Sequence, residues 1–356
     1  MRRQLPPIAT VLFFLSLPAS VESRTWYVKV DGTGDAPTIR AGIDSAQAGD
    51  DVLVGPGTYT WTSEGATGVY GMIMMKAGIW LHSEAGPEVT VLDAESQASV
   101  IWCSGLSEDT VIEGLTITGG YRDALANDGG GGIHCSDSRL TITDNIVTDN
   151  VAQNMWGGAG GAGVFCADSP NALIANNVII GNTSANYGGG IAINSSPTIT
   201  GNTVVENSAE IQGGGIDCRF YTGAITINTI VGNSAPEGPG INCEYSSTPL
   251  ISRNIITASL GGPTFHCDAS SAPVITCNDF WNNEGGDGNC AQGAGNFSAD
   301  PMFCDAAAGN YHLHQDSPCA PDNSPAGCGL VGALPVACGP VPVEQTTWGR
   351  IKCLYK

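Results

Sequence analysis

The chain is short of positive charge. Only 13 of its 356 residues are Lys or Arg, against 34 Asp or Glu, a formal net charge of −21. Such a surface repels nucleic acid and anionic membranes. After the first 20 residues no apolar run is long enough to span a bilayer. No CxxC pair or His–Cys spacing suggests zinc, and there is no GxSxG, Walker or dinucleotide motif. Charged residues make up only 13% of the chain. What is abundant instead is glycine, 49 residues, together with Asn, Ser and Thr, which suits stacked turns.

Those residues recur in columns. Asn145, Asn177, Asn202, Asn228, Asn254 and Asn278 share one slot, with steps of 25, 26, 26 and 24 residues from Asn177 onward. Three residues earlier stand Ile142, Ile174, Ile199, Ile225, Ile251 and Ile275; two later stand Val147, Ile179, Val204, Ile230, Ile256 and Phe280. Five after the first Asn comes a second: Asn150, Asn182, Asn207, Asn233 and Asn283. A further column follows the glycine runs: Cys135, Cys166, Ile193, Cys218, Cys243 and Cys267, each two residues after an apolar partner. Apolar-x-apolar spacing is the period of a strand. Three short strands per unit of about 25 residues, separated by Gly, Asn, Ser and Pro, predict an all-β solenoid. Each coil rises by one strand spacing, ~4.8 Å. The Ile and Cys columns become internal ladders, and the Asn columns sit at bends that tolerate left-handed backbone.

With these columns, the motif YVKVDGTGDAPTIRAGIDSAQAGDDVLVGPGTY and the segment VIEGLTITGG, the chain resembles the right-handed parallel β-helix proteins of the pectin-lyase-like superfamily, over Arg24 to Cys338. The resemblance implies three-strand coils, an N-terminal cap and a closing segment from Asn296 to Cys338. Residues 38–47 read as the capping helix, with Pro37 in its first turn and Gly49 ending it. Residues 1–23 read as a signal peptide, 24–338 as the β-helix domain, and 339–356 as a linker and basic tail. The expected location is therefore secreted or cell-surface, with no transmembrane segment in the mature chain. Cysteines of the inner column are expected as free thiols, and Cys277–Cys290 and Cys319–Cys328 as the favoured disulfides among the fifteen pairings that the last six cysteines allow.

The motifs QDTL, DFIFG and GRPW of pectin methylesterases and the GHG of polygalacturonases are missing. Two function classes follow. One binds or processes an extracellular polysaccharide, as a lyase or glycoside hydrolase if it is an enzyme. The other is a non-catalytic cell-surface or adhesin-like β-helix protein, since GGxI…xxN repeats also resemble those of polymorphic outer-membrane proteins. Alternation after the glycine runs turns Ile216 and Cys218 inward and exposes Asp217, Arg219, His134, Asn194, Asn242, Glu244, His266 and Asp268. Asp217, Arg219, Glu244, His266 and Asp268 form the candidate catalytic patch, with Arg219 facing Glu244 and Glu244 facing Asp268. His134, Tyr121, Arg122, Asp123, Trp156 and Tyr187 are the candidate substrate-binding residues; the resemblance implies a groove on this face. Calcium, held by Asp217, Glu244 and Asp268, is the expected cofactor, because an acidic protein meets an anionic polymer through bridging cations.

Overall fold

The computed structural model describes residues 23–68, 70–123, 129–153 and 160–339. The signal peptide, Trp156 and the tail expected beyond Gly339 lie outside the described residues.

The repeat folds as predicted into a parallel β-solenoid. Sheet A stacks ten strands, from Thr25–Val28 to Val274–Thr276; sheet B stacks nine, from Gly57–Thr60 to Asp279–Trp281; sheet C stacks eight, from Gly71–Met74 to Phe265–Cys267. A fourth stack, sheet D, has six strands of two or three residues, from Tyr121–Asp123 to Leu260–Gly261. It follows the second Asn column, where the sequence offers too few apolar residues to mark a strand.

Registers are exact along the tube. Ile142, Ile174, Ile199, Ile225, Ile251 and Ile275 pair in turn within sheet A, and every one is buried. Cys103 joins Cys135 and Cys166 as an earlier rung of the ladder in sheet C. Each ladder Asn satisfies its neighbour: the Asn202 Oδ1 accepts the Asn177 backbone N–H at 3.0 Å, while its Nδ2 donates to Ile174 O at 2.8 Å and to Asn228 Oδ1 at 3.0 Å. The left-handed residue at each bend is not the ladder Asn but the one before it: Asp144, Asn176, Gly201, Ile227, Arg253 and Cys277 have φ from 55° to 68°. The ladder Asn holds the bend from the adjoining position.

The capping helix is Ile39–Ser45, shorter than predicted at both ends. Thr38 is the N-cap and accepts from Ala41 N, so Pro37 stands outside the helix; the C-cap is Ala46, not Gly49. The Glu64 carboxylate accepts the Ile39 and Arg40 N–H groups that no helical carbonyl can reach.

The disulfides differ from the expected pairs. They are Cys267–Cys290, Cys277–Cys328 and Cys304–Cys338. Cys267 is therefore not a free thiol like the rest of its column. The chain passes Phe265 once more at Gly288, which carries Cys290 beneath Cys267 as the next rung. Cys277 lies at the bend between sheets A and B instead, and Cys328 of the closing segment reaches it there. Cys319 stays reduced, with its thiol donating to the Asp279 carboxylate at 3.2 Å. The closing segment folds back along the tube: Leu313, Cys319, Cys328 and Val331 pack with Ile255 of sheet B, and Thr229 Oγ1 accepts from Ala333 N.

Candidate functional site

The outward column of sheet C runs Met74, Trp102, His134, Phe165, Ala192, Asp217, Asn242 and His266, in register from coil to coil. Alternation places these side chains outside the tube, as predicted. From Trp102 to Asn242 it does not expose them; Met74 at one end is exposed and His266 at the other is half-buried. Asp217 is 1% exposed, and His134 and Asn242 are likewise buried. The cause is the glycine run, which crosses directly over this column before entering the strand. Gly213 has φ 66°, and a Cβ there would stand 2.6 Å from the Asp217 Cβ; Gly188 meets the Cβ of Ala192 at the same 2.6 Å. Only glycine permits both the left-handed backbone and the close approach.

The column changes character along the axis. In its first half His134 lies flat on Trp102, with ring centroids 3.5 Å apart, and tilts against Phe165. Its Nδ1 donates to Gly129 O at 2.9 Å. The Arg122 guanidinium lies 4.9 Å from the Trp102 ring centroid. Tyr121 reaches Gln153 in sheet D, and Asp123 is exposed beside it. These candidate residues belong to a buried aromatic stack and its edge, not to the polar patch.

In the second half the polar residues close into a circuit. Arg219 Nε lies 3.0 Å from Asp217 Oδ2, and its Nη2 lies 3.8 Å from Glu244 Oε2. Gln212 Nε2 donates to Glu244 Oε1 at 2.9 Å and to Glu237 Oε2 at 2.6 Å. His266 Nε2 is 3.8 Å from that Glu237 oxygen, while its Nδ1 donates to Asn242 Oδ1 at 2.7 Å. Asn242 Nδ2 completes the circuit by donating to Asp217 Oδ1 at 2.6 Å. Burial raises the Asp217 carboxyl from 3.8 to about 6, even though Arg219 and Asn242 pull it down. Asp217 thus serves as the buried counter-charge that fixes Arg219.

Aromatic rings frame the circuit. The Arg219 guanidinium sits 3.6 Å over the Tyr187 ring centroid and 5.6 Å from that of Tyr245. Tyr245 stacks on Phe220 of the adjoining coil with centroids 5.2 Å apart. Phe220 is 61% exposed and Tyr245 48%. Both sit two residues past a column cysteine at φ 52° and 57°, so the backbone turns and carries them to the rim.

Of the sequence-predicted residues, Asp217, Arg219, Glu244, His266 and Tyr187 come together. Asp268 lies beside the circuit and outside it: burial pushes its carboxyl up, but Ser271, the Tyr245 N–H and Ser270 bring it down to about 2, so it is held between the following loop and the backbone of the rim residue Tyr245. Gln212, Glu237, Phe220 and Tyr245 were missed. Their signal was positional. Tyr187, Gln212 and Glu237 each precede a glycine run and bridge in register. The three carboxylates named for calcium share no centre, and among the described residues no group of three or more His, Cys, Asp or Glu could hold a metal ion.

Residues 43–289 match the family described as "Periplasmic copper-binding protein (NosD)". The described donors do not fit that metal. The free thiols Cys103, Cys135, Cys166, Cys218 and Cys243 line the sealed interior and Cys319 is bonded to Asp279; His82, His134 and His266 lie on separate coils with partners of their own, and His312 and His314 of the closing segment bond Asn310 and the Asp316 N–H. No curated protein matches. Similar solved structures include pectin methylesterase from carrot (10% identity, 79% of this chain, 90% of that one, TM-score 0.41). Others are the mannuronan C-5 epimerase AlgE4 A-module of Azotobacter vinelandii (16%, 77% and 100%, 0.34) and the GH136 lacto-N-biosidase of Eubacterium ramulus (12%, 77% and 68%, 0.31).

Proposed function

This chain belongs to the NosD family, and we propose that it works outside the cytoplasm, holding a segment of extracellular polysaccharide against sheet C at the Phe220–Tyr245 rim. The observation that carries the proposal is the exposed Phe220–Tyr245 stack beside Arg219, Glu244 and Glu237. Aromatic faces offer apolar area and a negative quadrupole to sugar C–H groups, while the polar groups at their edge bond hydroxyls. The circuit behind the rim holds Arg219 and Glu244 in place before any ligand arrives, which lowers the ordering cost of binding. Three disulfides support a location in an oxidising compartment.

Binding without cleavage is the form of this function that the site favours. Asp217, the group whose carboxyl is raised toward neutrality, is sealed beneath Gly213 and out of a polymer's reach. The test is affinity electrophoresis and calorimetry across neutral and uronate polysaccharides. Phe220→Ala with Tyr245→Ala should weaken binding by roughly tenfold or more, about 1.4 kcal/mol, with circular dichroism unchanged. Binding that survives the double substitution, or a wild-type chain that retains no polymer, removes the proposal. Release of unsaturated product or reducing ends would replace binding with turnover.

A further inference from the structure

A second cluster lies on sheet A, near the N-terminal end. Trp80 and His82 alternate outward on one strand, and their rings stack with centroids 4.0 Å apart and planes 17° from parallel. The Trp80 Nε1 donates to Glu113 Oε2 in the next coil at 3.0 Å. In the preceding coil, Asp51 Oδ2 lies 3.2 Å from His82 Nε2. Asp51 is itself fixed by the Thr25 hydroxyl, 3.1 Å from both carboxylate oxygens. This chain of contacts locks an indole that is 42% exposed. His82 covers one face of the ring, so its open area is the other face and the outer edge.

Packing alone does not call for this arrangement. The Trp80 ring is fixed on two sides, one face against His82 and its Nε1 edge bonded to Glu113, yet the residue stays 42% exposed. A rigid, outward aromatic face with hydrogen-bond acceptors at its border matches the C–H face and hydroxyl rim of a pyranose. The groups at that border are carboxylates, Glu113 and Asp51, which accept from sugar hydroxyls and repel a uronate. We propose that Trp80, with Glu113 and the Asp51–His82 pair as its support, is a binding platform for a neutral saccharide. It is separate from the Arg219 site, being on a different sheet and five coils away, roughly 24 Å along the axis.

The test uses the indole N–H resonance of Trp80 in the full chain, assigned through Trp80→Phe. Neutral hexopyranose oligosaccharides at millimolar concentration should shift it saturably. Trp80→Ala should weaken the same binding at least tenfold by calorimetry, and oligogalacturonate should bind more weakly than the neutral chains. The inference is overturned if no neutral oligosaccharide shifts the resonance, if Trp80→Ala binds as the parent does, or if oligogalacturonate is preferred. The Phe220/Tyr245 variant leaves this resonance untouched, so failure at one site is read apart from failure at the other.

Discussion

Asn202 shows how much one side chain carries in a stack. Its Oδ1 takes the backbone and side-chain N–H groups of Asn177, and its Nδ2 serves Ile174, Thr200 and Asn228. Asn202→Ala strips those partners inside a dry bend. Each orphaned buried group costs about 1–3 kcal/mol, so urea unfolding should register a loss of at least about 3 kcal/mol. Asp279 makes the opposite case. Burial raises its carboxyl from 3.8 to about 6, against the pull of Ala299 N–H and the Cys319 thiol. The folded state therefore holds the proton more tightly than the unfolded one. Its contribution is most favourable near pH 4 and is lost as pH rises to about 6 and beyond. Asp279→Asn should remove roughly 2 kcal/mol of that loss, seen as a smaller fall in unfolding free energy between pH 4 and pH 7 than the parent shows. Asp217 titrates in the same window, so Asp279→Asn flattens the profile only in part.

At the scale of the strand and its approach, legibility ended where the backbone crossed its own sheet. Periodicity in the residues that flank Cys218 told inside from outside correctly, because a strand's two faces alternate whatever covers them. It could not tell outside from exposed. That depends on Gly213 passing over Asp217, a contact between residues only four apart whose geometry the glycine column hints at but does not state. The Arg219–Glu244 pairing was readable from the coil step; the role of Gln212 in bridging Glu244 to Glu237 needed the path of the crossing loop. Gly213→Ala tests that crossing. The new methyl would meet the Asp217 Cβ at 2.6 Å on backbone at φ 66°. A destabilisation of about 1–3 kcal/mol is expected, together with displaced chemical shifts for Asp217, Arg219 and Asn242. Unchanged shifts would mean that the crossing tolerates a side chain and does not set the site.

For the molecule as a whole, the solenoid was legible because each coil repeats its neighbour, and the closing segment was not, because it repeats nothing. Cys267–Cys290 could be found only by extending the inner ladder one rung past the last strand, and Cys277–Cys328 only by knowing that the chain returns along sheet B. That return creates a cluster apart from the tube's interior, built on Ile255, Leu313, Cys319, Cys328 and Val331. In a stacked repeat, each coil is stabilised mainly by its neighbours, so damage at one end should stay there. Replacing Cys277 and Cys328 by Ser removes the covalent tie between the tube and the returning segment while leaving Cys304–Cys338 inside that segment. Hydrogen exchange should then quicken across Phe303–Asp305, Asn310–His314 and the strand Ile255–Thr257 that they shield. Protection in sheet A at the N-terminal strands Asp51–Val54, Trp80–Ser83 and Thr110–Glu113 should hold. Exchange that rises uniformly along the tube would instead show one cooperative unit, in which the closing segment stabilises coils it never touches.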